Sequence, residues 1–215
     1  MVALTFDDGP NDTATPAILD LLAGRDVAAT FFVIGAHAAA HPELIVRMIA
    51  DGHSVQPHCW DWDSHGRHIE LSRTAMEDDV ARTVGEIQGR GCPPPTVWRP
   101  PNGDIKDPQS YDVARALDLT LVIWTLQTCD WSERHSADRI LADIDSEARA
   151  DAVVEARSVV LMHDKPKTVR LLDQLLDRIE AYGHHASPMS RESAATVTGG
   201  DYRFGRRDGR TPCIA

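Results

Sequence analysis

The stretch Thr5-Phe6-Asp7-Asp8-Gly9-Pro10 closes an apolar run, Val2 to Phe6, with two adjacent carboxylates and a glycine-proline turn. Neighbouring residues on a strand point to opposite faces, and one aspartate is enough to cap a turn. A pair at this place raises the question of what the second carboxylate is for. Residues of the same kind recur further along the chain. His58 is followed by His65 and His68, and Arg99 leads into Pro100-Pro101-Asn102-Gly103. Asp130-Trp131 follows Cys129, and His163-Asp164 follows Leu161-Met162. Carboxylates, imidazoles and one guanidinium are the ingredients of a metal site with an acid–base pair.

The elements that must position them alternate. Strands are expected at Val2–Phe6, Val27–Ile34, His53–Gln56, Thr96–Arg99, Leu119–Thr125 and Ser158–Met162, with helical periodicity between most of them. Several strands are continuous apolar runs, as parallel strands covered on both faces should be. The pattern predicts an α/β protein, either a β/α barrel or an open doubly wound sheet, and both put their sites at the C-terminal strand ends. Each polar group has a plain structural alternative. Asp8-Gly9-Pro10 makes an ordinary turn, Asp12 a helix cap, His163 a hydrogen-bonded imidazole, and Trp60 and Trp62 core. Five such coincidences at five strand ends weigh against the plain reading.

Thr5-Phe6-Asp7-Asp8-Gly9-Pro10 resembles the first motif of the NodB-type polysaccharide deacetylases, carbohydrate esterase family four. Ala29-Thr30-Phe31-Phe32-Val33-Ile34-Gly35 is similar to the family's second strand, and Gly52-His53 through His58 to the lead into its metal-binding histidine motif. Arg99-Pro100-Pro101-Asn102-Gly103, Asp130-Trp131 and Leu161-Met162-His163-Asp164 resemble its third, fourth and fifth motifs. The likeness spans about Val2 to Pro188. It implies a distorted (β/α) barrel and a metal-dependent hydrolase of N-acetyl amides. Carried over, Asp8 ligates the metal with histidines of the second motif, and Asp7 is the base. Arg99 holds Asp7, His163 is the acid, Asp130 orients it, and Leu161 lines the pocket for the acetyl methyl. A backbone N–H just after Pro101 joins the metal in stabilising the oxyanion. The implied cofactor is one divalent metal ion, zinc first, with cobalt or nickel as alternatives.

Two departures stand out. The family's second motif has two histidines four apart, and here the fourth residue after His58 is Trp62. Reading backward from Leu71-Ser72, which matches a pair in the family, places His65 at the second ligand position with three residues inserted. Seven residues of regular helix would span about 10.5 Å, so the segment has to bulge. His68 is the runner-up ligand, Asp61 and Asp63 are further candidates, and loss of the metal is the remaining alternative. Asn102 stands where the family has an aromatic. With Trp60, Trp62, Pro101 and Trp131, it marks a reshaped substrate pocket, since rim aromatics can stack on sugars.

The 215 residues fit one domain, expected as a deacetylase domain over 1–188 and an irregular tail over 189–215. Net charge of -11 argues against nucleic acid and anionic membranes as partners. Cys59, Cys92, Cys129 and Cys213 form no C-x-x-C pair and suggest free thiols in a reducing compartment. The first residues lack the pattern of a secretory leader. The expected location is therefore cytoplasmic, or secreted where a leader has been removed. The expected activity is N-deacetylation of an N-acetylated amino sugar, small sugar conjugate or oligosaccharide. Alternatives are a chitin or peptidoglycan polymer, a non-sugar amide, or sugar binding without a metal. Oligomeric state is left open.

Overall fold

The computed structural model describes residues 2–148, 159–181 and 183–198. In chain order the elements are β1 (Ala3–Asp7), α1 (Thr15–Gly24), β2 (Thr30–Ile34), α2 (Gly35–Ala40), α3 (Pro42–Ala50), β3 (Ser54–Cys59), α4 (Trp62–Arg67), α5 (Arg73–Gly89), β4 (Val97–Trp98), α6 (Gln109–Ala116), β5 (Thr120–Leu121), β6 (Leu126–Gln127), α7 (Ala137–Ala148), β7 (Val159–His163), α8 (Pro166–Ala181) and α9 (Arg191–Thr198). Among the described residues every strand pair is parallel. Five strands form one sheet in the order β3-β2-β1-β7-β6, and β4 pairs with β5.

The two sheets are joined into a distorted (β/α) barrel by unlike seams. Between β3 and β4 a side chain replaces the ladder: Gln56 Oε1 accepts from the Thr96 and Val97 N–H groups at 2.9 and 3.0 Å. Between β5 and β6 the chain itself crosses. Val122 N–H still bonds the Trp98 carbonyl at 2.8 Å, whereas Thr125 N–H bonds that of Val159 at 2.9 Å. The apolar run expected as a single strand over Leu119–Thr125 is therefore strand only near its start, in β5; the chain then changes partner, and β6 begins just past the run, at Leu126, with β7 as its neighbour.

β1 and β2 are buried along their whole length, and Phe6 stacks on Phe31 with ring centroids 5.0 Å apart. α1, α3 and α8 pack apolar faces on that core, including Ile18, Leu22, Ile45, Leu171 and Leu175. Ser72 caps α5 by accepting from Ala75 N–H at 3.2 Å. The tail does not begin irregular. Met189 N–H bonds Thr30 Oγ1 at 2.8 Å, and Met189 and Ala194 are buried beside β2 and β4. Residues 199–215, the rest of the expected tail, lie outside the described residues. Cys59 and Cys92 are free, but Cys129 is disulfide-bonded. That corrects the expectation of free thiols: wide spacing rules out a C-x-x-C pair but not a bridge between distant segments. No helix among the described residues is long and apolar enough to cross a membrane.

Candidate metal and acid–base site

The rim at the strand ends brings the ionisable residues together. Asp7 ends β1 and His163 ends β7, and the two are direct neighbours across the parallel ladder. His58 lies near the end of β3, and Arg99 follows β4.

The paired aspartates depend on the backbone. Asp8 has φ of 75°, left-handed, a conformation that aspartate tolerates better than most residues. It breaks the strand alternation, so both carboxylates face one imidazole nitrogen. Asp7 Oδ2 lies 4.0 Å and Asp8 Oδ1 3.6 Å from His58 Nε2. His65 Nε2 lies 3.4 Å from the same Asp8 oxygen. One donor atom each from Asp8, His58 and His65 falls within a 4.8 Å cluster. Asp8 Oδ1 is buried and makes no hydrogen bond among the described residues. His58 Nδ1 meets the Arg99 carbonyl at 2.7 Å; it must donate there, which leaves Nε2 as a lone-pair donor. A buried carboxylate oxygen without a hydrogen-bond partner, facing two imidazole nitrogens, fits a divalent cation of zinc type. Burial alone would raise the Asp8 pKa, but His65, His58 and His163 outweigh it and hold it at about 2. Burial lowers the His58 pKa despite Asp7 and Asp8.

The seven-residue gap from His58 to His65 is not a continuous helix. The strand ends at Cys59, and α4 starts afresh at Trp62 with a capping box. Asp61 Oδ1 accepts from Ser64 N–H at 2.9 Å, and Ser64 Oγ accepts from Asp61 N–H at 3.1 Å. This turn swings His65 back over Asp8. The other ligand candidates lie elsewhere: Asp61 is the cap and Asp63 pairs with Arg67 on the surface. His68 is buried in edge-to-face contact with Trp98, ring centroids 5.5 Å apart, and neither ring nitrogen has a hydrogen-bond partner among the described residues. Burial, with His58 and His65 nearby, lowers its pKa to about 3.

Arg99 is fully buried and organises the base side. One terminal nitrogen donates to Asp7 Oδ1 and Thr5 Oγ1, both at 2.7 Å, and the other to the Ile123 carbonyl at 3.0 Å. Its guanidinium lies 4.2 Å from the Phe32 ring centroid. On the acid side, Asp130 accepts two bonds from His163, Nδ1 to Oδ1 at 2.8 Å and backbone N–H to Oδ2 at 2.7 Å. Thr168 Oγ1 donates to the same Oδ2. Burial would lower the His163 pKa, but Asp130 first, then Asp7 and Asp8, raise it. Burial would raise that of Asp130, and His163 lowers it.

The rim residues divide. Trp62 is 49% exposed, in edge-to-face contact with His65 and His37 at ring-centroid distances of 5.0 and 5.7 Å. Trp131 is also exposed, Asn102 sits exposed with φ of 58°, and Pro101 and Leu161 are buried. Trp60 does not join them. It packs against Gly35 and under Arg82, 3.5 Å from its ring centroid, on the helix side. β3 has ended, so proximity to His58 in sequence no longer aims Trp60 at the rim. Sequence reasoning missed Thr5, Thr168 and His37, whose Nδ1 meets the Asp8 carbonyl at 2.8 Å. Thr5 carries a signal, since it is two before Asp7 and shares its strand face.

The family model described as Polysaccharide deacetylase matches residues 1–122. A chitooligosaccharide deacetylase of Bradyrhizobium sp. (strain ANU 289) is 35% identical over 201 residues, covering 87% of this chain and 88% of the relative. A peptidoglycan-N-acetylglucosamine deacetylase of Listeria monocytogenes is 30% identical over 213 residues; the match covers 97% of this chain but only 42% of that protein. A family 4 carbohydrate esterase from Streptomyces lividans, solved with acetate, superposes with a TM-score of 0.79 at 28% identity, covering 90% of this chain and 94% of that one.

Proposed function

Because the chain belongs to the polysaccharide deacetylase family, we propose that it is a metal-dependent N-deacetylase hydrolysing the acetamido group of an N-acetylated amino sugar in a short oligosaccharide or small conjugate. The observation that carries this reading is convergence on one rim. A metal-type donor set (Asp8, His58, His65), an arginine-held carboxylate (Asp7) and an aspartate-held imidazole (His163) meet there.

A divalent cation held by Asp8, His58 and His65, zinc first and cobalt or nickel next, would acidify water and polarise the acetamide carbonyl. Asp7, fixed by Arg99, takes the proton of the attacking water. The N–H of Asn102, just after Pro101, is the oxyanion donor from the protein. His163 commits Nδ1 to Asp130, so Nε2 is the nitrogen that protonates the departing amine. A raised pKa keeps it charged for that step. Trp62 and Trp131 supply flat apolar surface at the rim for the sugar ring.

A second reading has its own support. The Listeria relative is named for peptidoglycan, and a disulfide at Cys129 suits an oxidising compartment, where wall polymers lie. Acetate release from chitooligosaccharides, peptidoglycan fragments and simple N-acetyl amides, with and without chelator, tests both. Metal-dependent release from the first, lost in D8A, is expected. Metal-dependent release confined to peptidoglycan would favour the second reading, and activity untouched by chelator and by D8A would refute both.

A further inference from the structure

Asp164, a carboxylate that the chemistry above leaves unused, lies against the turn that carries Asp8. It is 3% exposed. Its backbone N–H donates to the Asp7 carbonyl at 3.1 Å, and its own carbonyl accepts from Asn11 Nδ2 at 2.9 Å. Its Oδ2 accepts from Thr15 Oγ1 at 2.7 Å, and that hydroxyl accepts from Asn11 N–H, also at 2.7 Å. Asp164 is thus bonded to the chain on both sides of Asp8.

The carboxyl also fills the space over Gly9. A Cβ at Gly9 would lie 2.0 Å from Asp164 Oδ2 and 2.9 Å from its Cγ. Gly9 is required here by this neighbour, since its φ is not one of the positive values. The turn needs such support. A left-handed non-glycine residue costs on the order of 1–3 kcal/mol and persists only where its surroundings over-determine it. Asp164 Oδ1 makes no hydrogen bond among the described residues, and burial, ahead of nearby Asp8, pushes the group up to about 7.

We propose that Asp164 is a positioning residue for the metal centre: its buried carboxyl, seated on Gly9 and bonded to Thr15, holds the Asp7-Asp8-Gly9 turn so that both carboxylates face His58. This rests on the metal reading above. Asp164 touches neither substrate nor metal; it acts through the turn.

The test is zinc affinity by chelator competition, with kcat and KM on chitooligosaccharides, for folded wild type, D164A, D164N, G9A and G9A/D164A. D164A should weaken zinc binding about 10–100-fold and lower kcat with little change in KM. D164N keeps the shape and an acceptor for Thr15, so it should stay within about threefold of wild type. G9A should impair zinc binding on its own, because its methyl and Oδ2 need the same space. In the D164A background it should add little, a non-additive cycle. Wild-type zinc affinity in D164A, failure of asparagine to rescue, or an additive cycle overturns the positioning role. If D164A does not fold, D164N and G9A decide the question. No zinc binding by wild type would instead overturn the metal reading, and this proposal with it.

Discussion

Replacing Arg99 by methionine tests whether the base is held by a buried charge pair. Arg99 is 0% exposed and Asp7 3%. The pair is made at 2.7 Å, with both side chains almost entirely out of contact with solvent. Methionine keeps an unbranched apolar stem over Phe32 but leaves Asp7 buried without its cation. Breaking one side of a buried pair costs about 3–5 kcal/mol. For a chain of this size that corresponds to a fall in Tm of roughly 6–20 °C. Scanning calorimetry on R99M, D7N and the double variant gives a cycle. If the pair dominates, the double variant loses less than the sum of the singles, by on the order of 0.5–3 kcal/mol. R99K should fall between, since a single ammonium cannot reproduce the fork to Asp7, Thr5 and Ile123. Deacetylation should drop in R99M even at temperatures where it is folded. An additive cycle refutes the argument, and Arg99 would then act through Thr5, the Ile123 carbonyl and the rings.

Other consequences follow from the same geometry. D130N removes the charge that raises the His163 pKa. At about 1.5–3 kcal/mol for a charged hydrogen bond and 1.36 kcal/mol per pH unit, the alkaline limb of the rate profile should move about 1–2 units toward acid. An unmoved limb rules His163 out as the acid. The stability gap between wild type and D130N should be widest between about pH 4 and 6.5. The lowered Asp130 pKa contributes stability that is lost as pH falls through its folded value, and the raised His163 pKa contributes stability lost as pH rises through its own. H65A should abolish stoichiometric zinc by elemental analysis. H68F should keep it and lose no stability, because the ring nitrogens of His68 have no hydrogen-bond partner among the described residues. Zinc loss in H68F with retention in H65A would reverse the ligand assignment. W62A should raise KM for chitooligosaccharides about 3- to 10-fold with kcat and metal content held. An unchanged KM would remove Trp62 from the substrate surface.

What could be read in advance, and what could not, divides along chemical lines. β1 and β2 were legible because strands buried on both faces must be continuous apolar runs. Asp7, Asp8, His58 and His163 could be picked out as candidates because carboxylates and imidazoles are among the few side chains suited to metal and acid–base chemistry, and the fold brings them to one rim. His65 followed from a fixed point downstream, Leu71-Ser72, where Ser72 does cap α5. The way the gap closes was written in Asp61 and Ser64, three apart as a capping box requires, but reading Asp61 as a ligand candidate hid its role as a cap. The splitting of residues 119–127 between two sheets has no local signal, since a buried strand looks alike whichever neighbour it pairs with. The deepest gap lies in what holds the site in shape. His58 is oriented by the Arg99 carbonyl, Arg99 by the Ile123 carbonyl, and His37 meets the carbonyl of Asp8. Every residue has a carbonyl, so no residue type marks these contacts. A sequence therefore names the groups that do chemistry far more readily than the backbone atoms that aim them, and substitutions at Ile123 or Arg99 act on geometry that only the fold reveals.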